Sequence, residues 1–209
     1  AHREWISHIT FDQILKKCGD FLRQNSDEFI LMRIQNANEK KDDFNEYGSA
    51  LLEKIIQNLS FFYFWPSNSL GHEDNSQWPK LKAARGKIIA LECSPVQFKF
   101  SQLENGFWAA NWHQNPNIVL QDLWDGPNLN QKQEVIQHLI QDSVNIQSDK
   151  LILNHISATN GRLGFPDVYA EYLNQYTKVF WKKKSGVKGV QIYDFITPDL
   201  AREIFMLNH

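Results

Sequence analysis

Apolar residues recur at helical spacing at Phe11, Ile14, Leu15, Cys18, Phe21 and Leu22, directly after Thr10, which has Gln13 three residues on. That spacing predicts an amphipathic helix opened by a capping box and fading by residue 25. The run FILMRI at 29–34 has the length and bracketing of a strand, with Leu31, Arg33 and Gln35 on one face and Ile30, Met32 and Ile34 on the other. A second helix is expected from about Asn45, carrying Leu51, Leu52, Ile55, Ile56 and Leu59, and is stopped in FFYFWP by Pro66. Residues 67–80 read as a polar loop. ARGKIIALEC at 84–93 reads as a tight lead-in and a buried strand, followed by a long connection containing Trp108 and Trp112. NIVLQD at 117–122 is a short strand, and DGPN then breaks the chain before a helix with Val135, Ile136, Leu139, Ile140 and Val144. LILNHIS at 151–157 is strand-like, and Pro166 starts a helix with Tyr169, Leu173 and Tyr176. GVQIYDF at 189–195 forms a strand, and Pro198 opens a last helix that ends near His209.

Mostly alternating strands and helices, with apolar strands, point to an α/β fold in which a parallel sheet is covered by helices. Polar residues gather at the C-terminal ends of the strands: Gln35, Cys93, Asp122, Asn154 through Ser157, and Asp194. In barrels and doubly wound sheets that edge holds the active site. Strand ends are also polar simply because loops are wet, but five such ends favour a site.

Composition narrows the classes. The 209 residues are 42% hydrophobic and 22% charged, which excludes a disordered chain. The net charge of −2 gives no basic surface for nucleic acid. No run approaches the ~18 apolar residues that cross a bilayer, and no signal peptide pattern opens the chain. Two cysteines make no disulfide framework, and His8, His72, His113, His138 and His155 have no metal-site spacing.

Six segments in order resemble the catalytic domain of the small bacterial phosphatidylinositol-specific phospholipases C. They are His2 ahead of the capped helix, FLRQNSDEFILM at 21–32, LKAARGKI at 81–88, NIVLQD, LILNHIS and GVQIYDF. Each is weak alone; together they cover the whole chain, 1–209, as one catalytic barrel domain. The resemblance implies an irregular TIM-like (β/α) barrel that cleaves inositol lipids to diacylglycerol and a cyclic inositol phosphate. One His acts as general base on the inositol 2-hydroxyl and a second as general acid on the departing glycerol oxygen.

By resemblance, His2 matches the general acid and Asp194 the carboxylate that orients the base. Asp122 matches an acid bonded to ring hydroxyls, and Trp124 an aromatic beside the inositol. Gln35 stands where bacterial members have Lys and calcium-dependent ones Glu; Cys93 stands where bacterial members have Arg. Gln35 argues against calcium, which prefers several anionic oxygens, so neither a metal nor another cofactor is expected. Arg33, on the face of Gln35, is a candidate compensating cation, or else a charge paired within the barrel.

A whole (β/α)₈ barrel takes ~250 residues. The expectation is therefore that the first two or three strands are absent, and with them the first catalytic His and the phosphate-binding Arg. The chain is then part of a longer enzyme, or an incomplete relative that only binds inositol phosphate or lipid headgroups. A metal-dependent glycerophosphodiesterase ranks last, because no cluster of acids stands at the strand ends. The resemblance also implies a secreted or extracellular protein in transient contact with a membrane surface. Leu163 and Phe165, in SATNGRLGFP at 157–166, are the candidate rim wedge; the alternative is that Phe165 packs inward at the start of the next helix.

Overall fold

Thr10 accepts a hydrogen bond from the Gln13 amide, and the Gln13 side chain accepts one from the Thr10 amide. This is the expected capping box, and it opens α1, Phe11–Gln24. The computed structural model describes residues 8–35, 44–66, 78–92, 102–112, 115–147, 149–160, 165–181 and 189–206. These fall into two units, Ala1–Asn115 and Pro116–His209.

In the first unit, β1 (Ile30–Ile34) pairs in parallel with β3 (Ile88–Glu92). Between them in sequence come α2 (Phe44–Gln57), β2 (Trp65–Pro66) and the short α3 (Leu81–Ala84). Of the two faces of β1, that of Ile30, Met32 and Ile34 packs on a core that includes Leu15, Leu22, Ile55, Ile88 and Trp108, with Ile34 buried and the other two partly so. Complete burial of a Leu or Ile side chain contributes roughly 1.5–3 kcal/mol, so this face fixes the register of the strand.

Helix α2 ends earlier than Pro66 suggests, at Gln57, and a 3₁₀ turn at Leu59–Phe61 follows. Pro66 instead lies in β2, at the edge of a small antiparallel sheet with β5 (Gly106–Phe107) and β4 (Gln102–Leu103). An edge is where a strand tolerates proline. Gly106 is required there, since a Cβ would sit 1.9 Å from the Trp65 carbonyl oxygen.

The Trp108–Trp112 stretch, expected as a connection, contains the strand β6, Ala109–Asn111, parallel to β3. Its small residues hide it from a hydrophobicity pattern. Ala109 and Ala110 are almost fully buried and pair with Ala90 and Leu91.

In the second unit, β7 (Ile118–Gln121), β8 (Leu151–His155) and β9 (Val190–Ile192) form a parallel sheet in chain order. The connections carry α4 (Leu129–Asp142) and α5 (Pro166–Trp181), and α6 (Pro198–Phe205) follows. Ile136, Ile140, Ile156, Tyr169 and Leu173 make its core. Asn128 and Gln131 build a second capping box, and Thr197 caps α6 ahead of Pro198.

Strand β9 is shorter than the expected 189–195. The chain leaves the sheet after Ile192, and Phe195 takes φ +51°. Asn174 of α5 donates to the carbonyls of Asp194, at 3.1 Å, and Phe195, at 3.4 Å, which holds this turn in place.

Candidate functional site

Parallel pairing puts Gln121, Asn154 and Gln191 side by side at one register of β7, β8 and β9. Each strand interior is otherwise apolar there, so the three amides must satisfy one another. Gln121 Nε2 donates to Asn154 Oδ1 at 2.8 Å and to the His155 carbonyl at 2.8 Å. Asn154 Nδ2 donates to Gln191 Oε1 at 3.0 Å. This ladder is the floor beneath the strand ends.

Asp122 follows Gln121, and its Oδ1 lies 3.5 Å from His155 Nδ1, with both side chains largely buried. Lys132 of α4 is completely buried; its Nζ donates to Gln121 Oε1 at 3.0 Å and to the Leu123 carbonyl at 2.7 Å. Gln121 Oε1 also accepts from the Leu123 amide at 2.9 Å. The main chain after Asp122 is thereby held from both sides.

Burial pushes the Lys132 ammonium down from 10.5 to about 8, while the charges of Asp122 and Asp194 act the other way. Burial raises the Asp194 carboxyl above its ordinary value, opposed by the charge of Lys132. The charges of two acids, after β7 and past β9, thus act on one buried cation.

Trp124 is half exposed, and its carbonyl accepts from the Thr159 amide at 2.8 Å. The Gly126 amide donates to the Thr159 carbonyl at 2.9 Å. These bonds tie the loop after β7 to the loop after β8 and leave the indole at the surface. Phe165 is 77% exposed, so it does not pack inward at the start of α5.

Arg33 and Gln35 belong to the first unit. Arg33 Nη2 donates to Gln35 Oε1 at 3.4 Å, and the guanidinium lies 4.3 Å from the Trp112 ring centroid. A cation over an indole face is attracted by the negative face of the ring. His2, Cys93 and Leu163 lie outside the described residues. Among the described residues, no three His, Cys, Asp or Glu side chains gather as a metal site.

Sequence reasoning nominates Asp122, Trp124 and Asp194, and does not nominate Gln121, Lys132 or Gln191. A signal for Lys132 was present. It stands at 132 in the buried series Lys132, Ile136, Ile140, a lysine on an apolar stripe of α4.

The 1-phosphatidylinositol phosphodiesterase of Listeria monocytogenes is 31% identical over 217 residues, a match that takes in 99% of this chain and 63% of that protein. Over nearly its whole length the chain is similar to bacterial phosphatidylinositol-specific phospholipases C. It spans 63%, under two thirds, of the length of that curated relative. No protein-family model matches it. The solved phosphatidylinositol-specific phospholipase C from Listeria monocytogenes superposes with a TM-score of 0.81 at 26% identity, over 97% of this chain and 71% of that one. A Staphylococcus aureus phosphatidylinositol-specific phospholipase C gives a TM-score of 0.69 at 19% identity, over 97% and 72% of the two chains. The fold class is thus the expected α/β one, that of the phosphatidylinositol-specific phospholipase C barrel.

Proposed function

We propose that this chain carries part of the active site of a phosphatidylinositol-specific phospholipase C, and that the protein to which it belongs cleaves inositol lipids to diacylglycerol and a cyclic inositol phosphate. The observation that carries the reading is the match to a 1-phosphatidylinositol phosphodiesterase over 99% of the chain. The acids at the strand ends of its second unit are in keeping with it.

Asp122 is assigned to inositol hydroxyls, for which a carboxylate is a strong acceptor, and Trp124 to the ring face. Asp194 orients the general base and stabilises its charged form. His2 is the general acid toward the glycerol oxygen. Gln35, Arg33 and Cys93 are assigned to headgroup contacts on the strength of the resemblance alone. Gln35 brings a neutral oxygen where a calcium site needs anionic ones, so the reaction is assigned to a metal-independent class. Leu163 and Phe165 form the membrane rim, in a secreted protein that meets its lipid at a bilayer surface.

Hydrolysis of phosphatidylinositol in mixed micelles, followed by ³¹P NMR in EDTA, tests the reading. The expected product is a cyclic inositol phosphate, and His2→Ala should cut turnover by ~10²–10⁴-fold with little change in substrate binding. Saturable binding of glycerophosphoinositol with no product would favour a headgroup-binding module instead. Activity that EDTA abolishes and calcium alone restores would overturn the metal-independent assignment.

A further inference from the structure

Lys132 is a lysine where α4 would accept a leucine. It shares the buried face with Ile136 and Ile140 and is 0% exposed. Isolating an ammonium from water costs several kcal/mol, and replacing a buried ionic group by a well-packed apolar one is often neutral or stabilising. Folding alone therefore does not call for this charge.

Its bonds show where the charge is directed. Both acceptors flank Asp122: the Gln121 side chain before it and the Leu123 carbonyl after it. Gln121 Oε1 also takes the Leu123 amide, so the backbone that aims Asp122 is fixed at an amide and a carbonyl through one lysine and one glutamine. The acids whose charge acts on Lys132 are Asp122, after β7, and Asp194, past β9. Of the other ionisable groups nearby, His155 at the end of β8 lies against Asp122. Tyr169 and Tyr176 on α5 bond to the Pro127 carbonyl and the Gln137 side chain.

We propose that Lys132 is a positioning residue of the candidate site, clamping the main chain on both sides of Asp122 and supplying the site's buried positive charge. It touches no reacting atom; it fixes where the Asp122 carboxylate points, and its charge works against the burial that raises the Asp194 carboxyl. The inference rests on the assignment of those two acids to the site under the proposed function. The same arrangement accounts for the lowered affinity of Lys132 for its proton, since its burial is only partly offset by the two acids.

The test follows the carboxyl carbons of Asp122 and Asp194 by ¹³C NMR through a pH titration, in the unaltered chain and in Lys132→Met. Loss of the cation should move the Asp194 midpoint upward, and loss of the clamp should displace the Asp122 carboxyl resonance and the Leu123 amide resonance. An unchanged midpoint and unmoved resonances in a folded Lys132→Met chain would reduce Lys132 to a core residue and overturn the proposal. Should Lys132→Met fail to fold, the reciprocal titration decides. In Asp194→Asn the Lys132 ammonium, followed at its ¹³Cε, should titrate below its value of about 8, and an unmoved midpoint overturns the proposal equally. Where phosphatidylinositol cleavage is measurable, Lys132→Met should shift the acid limb of the kcat profile upward, while Lys132→Arg restores part of it. Absence of cleavage by the unaltered chain would bear on the proposed function alone, because the titrations need no turnover.

Discussion

Gln121 donates its side-chain amide to Asn154 Oδ1 at 2.8 Å, and the two residues face each other across the parallel pair β7–β8. Asn154 is fully buried, so each of its bonds replaces one to water. Asn154→Leu keeps the branched heavy-atom skeleton and removes both polar ends, leaving Gln191 Oε1 without the Asn154 donor and Gln121 with one acceptor fewer. Stability should fall by ~1–3 kcal/mol, the cost of stranding a buried polar group. Urea denaturation should show a lower midpoint with an unchanged slope. A midpoint as high as that of the unaltered chain would mean that the ladder adds no stability.

Lys132 sets a pH dependence whose sign is fixed by its lowered affinity for protons. Between about 8, its folded value, and 10.5, its ordinary one, the unfolded chain holds the proton and the folded chain has lost it. Stability contributed by this group therefore rises with pH across that window, by at most about 3 kcal/mol. The raised Tyr176 works in the opposite sense, but only as the pH passes its ordinary value of 10.0. Denaturation of the unaltered chain and of Lys132→Met from pH 7 to 10 isolates the effect. The gap in stability between them should change by that rise, and parallel curves would contradict it.

What could be read in the sequence follows from how each residue interacts. Strand β1 was legible because a compact apolar run bracketed by polar residues is a local pattern. The Thr10–Gln13 box was legible because its partners are three residues apart. Strand β6 was not, since Ala109 and Ala110 are buried through their pairing with residues about twenty positions earlier. The amide ladder was equally hidden: Gln121, Asn154 and Gln191 are separated by 33 and 37 residues, and only sheet register aligns them. Asp122 and Asp194 could be nominated by their strand-end positions and by resemblance; for Lys132 the one signal was its spacing with Ile136 and Ile140, which is easily passed over. A lysine in an amphipathic helix ordinarily reads as part of its solvated side.

Asp194 is expected to trade stability for function. Its carboxyl is raised by burial, so at neutral pH the folded state holds an ionised group at a cost, and that cost vanishes as pH falls through the folded value. Asp194→Asn should therefore be more stable than the unaltered chain at pH 7, with the difference shrinking in acid. Phosphatidylinositol cleavage should fall at the same time, because the amide no longer stabilises a charged base. Thermal melts at pH 7 and pH 4 check the first part; a variant less stable at pH 7 would show that Asp194 is held by favourable contacts.

Gly189 leads into β9 at φ +91°, and a Cβ there would lie 2.6 Å from Ile152 Cβ and 2.7 Å from the Ile152 carbonyl oxygen. Gly126 also has a positive φ, +77°, but nothing lies within 4 Å of its would-be Cβ. Gly126→Ala should cost only the left-handed backbone, ~1–2 kcal/mol. Gly189→Ala should cost more, since overpacking adds ~1–3 kcal/mol and displaces the strand that leads to Asp194. Equal melting temperatures for the two variants would rule out the steric contribution.

Phe165 stands 77% exposed just before Pro166, the first residue of α5. An aromatic ring left in water there contributes nothing to the core, so its removal should leave the melting temperature within experimental scatter. Burial of such a side chain in an acyl layer is worth ~1.5–3 kcal/mol, or roughly ten- to a hundred-fold in partitioning. Phe165→Ser should thus weaken sedimentation with phosphatidylinositol-containing vesicles by about that factor. Turnover of a soluble inositol phosphodiester, which needs no bilayer, should be unaffected. Loss of thermal stability, or equal loss on the soluble substrate, would place Phe165 in packing or in the site rather than on the lipid-facing rim.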